Sequence, residues 1–235
     1  MSVVFSFYVG DYDSAAWAFN EIFPSKWNDP NRGKVPLGWA INPTIAIRFP
    51  PIFDLMYGSL TENDRVTSGD SGAGYVNPTQ LLRPREISGL APADDIWAEH
   101  NKLWYNKFDI QFTGFLINGA AGPMTDEAER LYNSFSPYGG TEQTGYAPGG
   151  KTGVHLQRGV PYFQEMDIPG DEDEATRQIL GDDNVNAGVQ FHVYRSILQS
   201  PTYHFNVMNK VQAQSGHVVV VEPLALSILA QLHLK

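Results

Sequence analysis

Acidic side chains fall repeatedly just after apolar runs. Asp11 and Asp13 follow Val3–Val9, Asp70 follows Arg65–Ser68, Glu142 lies in the loop after Ser134–Tyr138, and Glu222 closes His217–Val221. Two carboxyl groups held across a scissile bond can divide acid and base roles, and a pair spaced two apart on an extended backbone points to one side. Trp39 and Asn42 close a second apolar run, Arg195 closes Val189–Tyr194, and Glu165 sits beside Tyr162 and Phe163. Glu142 is likewise flanked by Tyr138 and Tyr146. Carboxylates, an amide, a guanidinium and aromatic faces suit the hydroxyls and ring faces of sugars.

These residues need elements to carry them. Val3–Val9 is apolar almost throughout, as in a strand covered on both faces. Ser14 then caps a helix over Ala15–Phe23 that Pro24 stops. Apolar runs at 35–41 and 65–70 read as further strands, with helices around 51–58, 94–105 and 125–132 between runs. Segments 134–138 and 153–156 are weaker strand candidates. The acidic stretch Asp171–Glu174 opens a helix, as the helix dipole favours, and Ser200-Pro201 opens another. A helix over Leu224–Leu234 closes the chain.

Strands alternating with helices, and no interior linker, predict one α/β domain over residues 1–235: a (β/α) barrel-like fold with seven or eight mostly parallel strands. An open doubly wound sheet is the alternative, but its dinucleotide fingerprint is missing. In a barrel the site lies at the carboxyl ends of the strands, which is where the polar residues gather.

Composition narrows the function. The 235 residues carry 16 Lys+Arg against 26 Asp+Glu, a net charge of −10, which argues against a surface built for phosphate backbones. The absence of Cys excludes thiolate chemistry and disulfides. No apolar run approaches a membrane span, and no export signal is visible at the start.

The segment Gly69-Asp70-Ser71-Gly72-Ala73-Gly74-Tyr75-Val76-Asn77-Pro78 is the most distinctive. A serine-protease reading of Gly-Asp-Ser-Gly fails because the first histidine, His100, lies downstream and the all-β pattern is missing. A nucleophile elbow fails because Ala73 stands where Gly is needed. As plain structure, the glycines permit a tight turn that Asp70 caps. In a ligand role, Asp70, Ser71, Tyr75 and Asn77 would contact substrate.

Residues 72–78 resemble the Gly-x-Gly-Tyr-x-Tyr-Pro signature of the GxGYxYP putative glycoside hydrolases, with Asn77 replacing the second Tyr. The opening Phe5–Ser14 and the segment Pro36–Pro43 also look like that family's C-terminal domain. The resemblance implies a barrel domain associated with bacterial polysaccharide use, and an extracellular or periplasmic place.

The expectation is therefore a carbohydrate-active enzyme that cleaves a poly- or oligosaccharide by carboxylate acid/base catalysis. Asp11, Asp13, Asp70, Glu142 and Glu165 are its candidate catalytic groups; Trp39, Asn42, Ser71, Tyr75, Asn77, Arg195 and Glu222 would bind substrate. No cofactor is required, although Asp11, Asp13 and a distant histidine would form one route to a divalent metal. His192 and His217, in strands, read as core residues. The alternatives are a metal-dependent deacetylase or lyase on a similar barrel, which here lacks a His-x-x-x-His motif, and a non-catalytic sugar-binding domain.

Overall fold

Strand β1 (Val3–Gly10) is buried at all eight positions and pairs with three neighbours. Strand β8 (Gln190–Ile197) runs parallel along its whole length. The opposite edge is divided: β9 (Val218–Val220) takes Val3–Phe5, and β2 (Leu37–Ile41) takes Phe7–Val9. A strand with both faces and both edges covered needs the unbroken apolar run its sequence shows.

The computed structural model describes residues 3–10, 15–82, 85, 88–118, 124–143, 153–183 and 188–235. From β2 the sheet continues through β3 (Asp64–Ser68), β4 (Thr113–Leu116), β5 (Gly140–Glu142) and β7 (Val160–Asp167) to β8 and back to β1, all parallel. The result is a closed seven-stranded α/β barrel, so the open-sheet alternative is excluded. Strand β6 (Val154–Gln157) joins β7 as an antiparallel hairpin, and β9 fills the amino-terminal part of the β1–β2 gap.

The strands between β5 and β8 depart from the sequence reading. Val160–Asp167 is a strand that the pattern did not disclose, since Pro161, Gln164, Glu165 and Asp167 break its apolar character. The candidate at 134–138 is a turn. The barrel strand follows it, so Glu142 ends β5 instead of lying in a loop beyond it. Pro24 does not end the first helix: α1 (Ala15–Trp17) continues as a π-helical segment, Ala18–Lys26, with Pro24 inside.

Helices α2 (Ile45–Arg48), α3 (Pro51–Ser59), α4 (Asp94–Lys107), α5 (Asp126–Tyr132), α6 (Glu172–Gly181) and α7 (Pro201–Gln214) lie along the chain between strands. Two apolar clusters result. The larger joins outward strand residues Phe5, Phe7, Leu37, Trp39, Tyr162 and Tyr194 to helix residues such as Ile52, Tyr132 and Val207. The smaller joins inward residues Val4, Tyr8, Phe163 and Val193 to Leu224, Leu226 and Ala230 of α8 (Pro223–Leu234), which packs against the barrel interior. Burial of these side chains is worth about 1.5–3 kcal/mol each.

One polar cluster locks the outer layer. Buried Asp64 accepts from Trp39 Nε1 at 2.8 Å and from Thr61 N at 3.0 Å, and pairs with Arg32, whose guanidinium also lies over the Trp27 ring. Both carboxylate oxygens accept hydrogen bonds and Arg32 supplies the opposite charge, so the buried charge is compensated.

Candidate active site at the carboxyl end of the barrel

On β8, Arg195 shares its face with Phe191 and Val193 of the inner cluster, so its side chain enters the barrel mouth. Glu165 on β7 has the same parity as inward Phe163. Arg195 Nε lies 2.8 Å from Glu165 Oε1 and 2.7 Å from Asp167 Oδ1, and Nη2 donates to Asp167 Oδ2 at 3.2 Å. The Glu165 side chain is buried while Asp167 is 61% exposed, so one guanidinium joins an inner carboxylate to one at the rim. The Arg195 Cζ stands 5.0 Å from the centre of the Phe115 ring. A methyl group at Gly10 would come within 3.0 Å of Arg195 Cδ, so glycine at the end of β1 leaves room for the arginine stem.

Phe115 connects this group to the glycine loop. Ser71 N donates to Phe115 O at 2.6 Å, and Ile117 N donates to Ser71 Oγ at 2.7 Å. Asp70 and Ser71 both occupy the left-handed region, with φ of 56° and 63°. Non-glycine residues held there cost of order 1 kcal/mol each, so the surrounding bonds must impose the geometry. The helices supply them: Asn101 Oδ1 accepts from Ala73 N at 2.8 Å, His100 Nε2 meets Ala73 O at 2.9 Å, and Tyr132 OH donates to Ser71 O. At Gly72 (φ 121°) a methyl group would fall 2.2 Å from Asn101 Oδ1, so this glycine exists for close backbone approach.

The loop delivers Asp70 to the mouth as a buried carboxyl. Asn42 Nδ2 donates to its Oδ2 at 2.9 Å, while Oδ1 has no hydrogen-bond partner among the described residues. Asn42 in turn accepts from Thr44 N at 2.9 Å, which fixes its amide.

The candidates therefore separate. Asn42, Asp70, Glu165 and Arg195 gather around the carboxyl ends of β2, β3, β7 and β8. Tyr75 is 70% exposed beyond the same loop. Asp11 and Asp13 lie outside the described residues, as do Ser14 and Tyr146; Asp11 is the residue after Gly10, which abuts Arg195.

Other residues have different work. Trp39 faces the helices, buried against Trp27 with centroids 5.1 Å apart and bonded to Asp64, so it is a core residue out of reach of substrate. Ser71 is buried and its hydroxyl is spent on the backbone of β4's exit. Asn77 Oδ1 accepts from Thr79 N at 3.0 Å and caps the 3-10 turn Pro78–Leu81, so the signature's departure here has a structural use. Glu222 caps α8 through Leu224 N and Ala225 N and pairs with Arg65 near the start of β3, at the barrel's other end.

Glu142 turns away from the mouth. It faces Glu129 of α5, whose Oε1 lies 2.8 Å from His155 Nε2 on β6. Burial, and then the Glu129 charge, pushes the Glu142 carboxyl up to about 10. His192 is largely buried outside the mouth, and burial lowers its pKa. Sequence reasoning missed Asp167 and Phe115 altogether. For Asp167 a signal existed, a second acidic residue at the spacing of Glu165, but it sits in the strand that the pattern concealed.

A closed parallel barrel whose mouth holds a buried carboxyl, a carboxylate–guanidinium cluster and aromatic faces has the architecture of an α/β-barrel enzyme. The chain belongs to the family described as GxGYxYP putative glycoside hydrolase C-terminal domain, whose model matches residues 2–224. Among solved structures it is similar to a protein described as a putative hydrolase from Bacteroides thetaiotaomicron VPI-5482, with 17% identity and a TM-score of 0.74 over 98% of this chain. The match spans 45% of that protein, so the chain corresponds to less than half of its length. This likeness establishes the fold. A 4-alpha-glucanotransferase from Thermococcus litoralis matches with a TM-score of 0.49 and 10% identity, over 94% of this chain and 40% of that one. No curated protein matches the chain.

Proposed function

We propose that the domain hydrolyses glycosidic bonds of a poly- or oligosaccharide, with carboxyl groups at the ends of β1, β3 and β7 acting on the substrate. The observation that carries this reading is the buried Glu165 held against Arg195 inside the mouth, on the same rim as buried Asp70. Membership of a family named for glycoside hydrolysis supports the reaction class.

The guanidinium stabilises negative charge on Glu165, which suits a nucleophile or general base. The acid that protonates the leaving oxygen comes from Asp70, Asp11 or Asp13. Asn42 orients Asp70 through its amide, and Phe115 and Tyr75 offer ring faces on which a sugar can stack. Carboxyl separation in the substrate complex sets the stereochemistry: about 5–5.5 Å for retention, about 6.5–9.5 Å for inversion.

The test is release of reducing ends from a polysaccharide panel. With a responsive substrate in hand, Glu165→Gln and Asp70→Asn should each lower kcat by about 10²–10⁴-fold while folding normally. Full activity in both variants would remove these carboxyls from the mechanism. Sugar binding without any cleavage by the unaltered protein would make the domain a binding module.

A further inference from the structure

Outside the barrel mouth, α5, β5 and β6 bring Glu129, Glu142 and His155 together, with one ligand atom from each within 4.8 Å of the others. Both glutamates are almost completely buried. Glu129 Oε2 and Glu142 Oε1 have no hydrogen-bond donor among the described residues. The Glu129 carboxyl faces Glu142 across this dry space. Asn118 Nδ2 reaches Glu142 Oε2 at 3.5 Å, and His155 Nε2 meets Glu129 Oε1 at 2.8 Å. Two carboxylates in so dry a place repel each other strongly, so either a proton or a cation must sit between them.

We propose that Glu129, Glu142 and His155 bind one zinc-class divalent cation that ties α5, β5 and β6 together. Two carboxylate oxygens and an imidazole nitrogen form a mixed O/O/N donor set, which suits zinc better than calcium, an ion that takes six to eight oxygens. Zinc ligands stand about 2.0–2.2 Å from the metal, so the three donors must draw in to roughly 3–3.5 Å of one another. On binding, the metal displaces the proton that burial keeps on Glu142, which passes to buffer, and takes a lone pair from His155 Nε2. His155 is 13% exposed in its side chain and offers the route of entry. The tie would fix the β6–β7 hairpin, which carries Glu165 and Asp167, without any metal in the mouth.

The experiment is calorimetric titration of chelator-treated full-length protein with zinc chloride, in two buffers of different ionisation enthalpy. The expected result is one zinc per chain, about one proton released, and a Tm raised by zinc. Glu142→Gln and His155→Gln should each weaken zinc binding by about 100-fold, whereas His217→Gln, at an exposed histidine, should not. Glu142→Gln imitates the protonated carboxyl in shape and hydrogen bonding, so it should fold. Failure of the unaltered protein to take up stoichiometric zinc overturns the proposal, as does unchanged affinity in both site variants. Neither readout uses sugar cleavage, so the assignment stands or falls separately from the proposed activity.

Discussion

Arg195 places its Nε 2.8 Å from Glu165 Oε1, joining neighbouring strands β8 and β7 inside the barrel mouth. The pair is nearly dry on the Glu165 side and opens to solvent through Asp167. One cation therefore compensates a buried charge and holds it at the place where chemistry is proposed.

Removing that cation should expose the asymmetry of a buried ion pair. Arg195→Met leaves Glu165 buried beside no guanidinium and should cost about 3 kcal/mol in denaturant unfolding. Adding Glu165→Gln should return much of that stability, yet leave the double variant without sugar cleavage. Equal stability of the single and double variants would show that the two residues are not coupled.

Gly72→Ala tests the signature loop. The added methyl would lie 2.2 Å from Asn101 Oδ1 at a φ of 121°, so the loop must shift and carry Asp70 with it. Sugar cleavage should fall by about 10²-fold, since a displacement near 1 Å costs on that order, with a loss of about 1–3 kcal/mol in stability. Gly181→Ala, in a helix with open space at the Cβ, serves as the neutral comparison.

Asp64 is expected to matter for folding alone. Asp64→Ala strips Trp39 Nε1 and Arg32 of their shared acceptor and should destabilise the protein by about 3–5 kcal/mol. A shift in Tm, with unaltered KM of the remaining folded protein in the proposed reaction, is the expected result. A changed KM would place Trp39 nearer the substrate than the packing allows.

His204 sets an acid limit. It is fully buried between Ser196 Oγ, 2.6 Å from Nε2, and Ser200 O, 2.7 Å from Nδ1, and burial lowers its pKa to about 4. The unfolded chain, with an ordinary histidine near 6.5, binds the proton first as pH falls. The neutral histidine's contribution is therefore intact above about pH 6.5 and is lost as pH drops toward 4. His204→Gln should flatten the unfolding free energy across that window; an unchanged slope would assign acid sensitivity elsewhere.

The alternation of apolar strands and helices was legible in the chain because each element must bury a continuous run or stripe. β1 shows this well: the run Val3–Val9 suits a strand covered on both faces, and β1 is buried at all eight positions. The candidate site was legible as far as position at strand ends reaches: Asp70, Asn42 and Arg195 do lie at the carboxyl ends of strands, but the same rule ranked Glu142 beside Glu165.

Tertiary structure decided which way those side chains point. Successive strand residues alternate between barrel interior and helix layer, and where both faces are buried the sequence carries no contrast to tell them apart. One position of parity sends Glu165 and Arg195 into the mouth, and sends Trp39 to Asp64 and Glu142 to Glu129. The sequence by itself determined a parallel α/β domain with acidic strand ends; closure of the barrel determined which of those acids face one another, because only closure defines an inside.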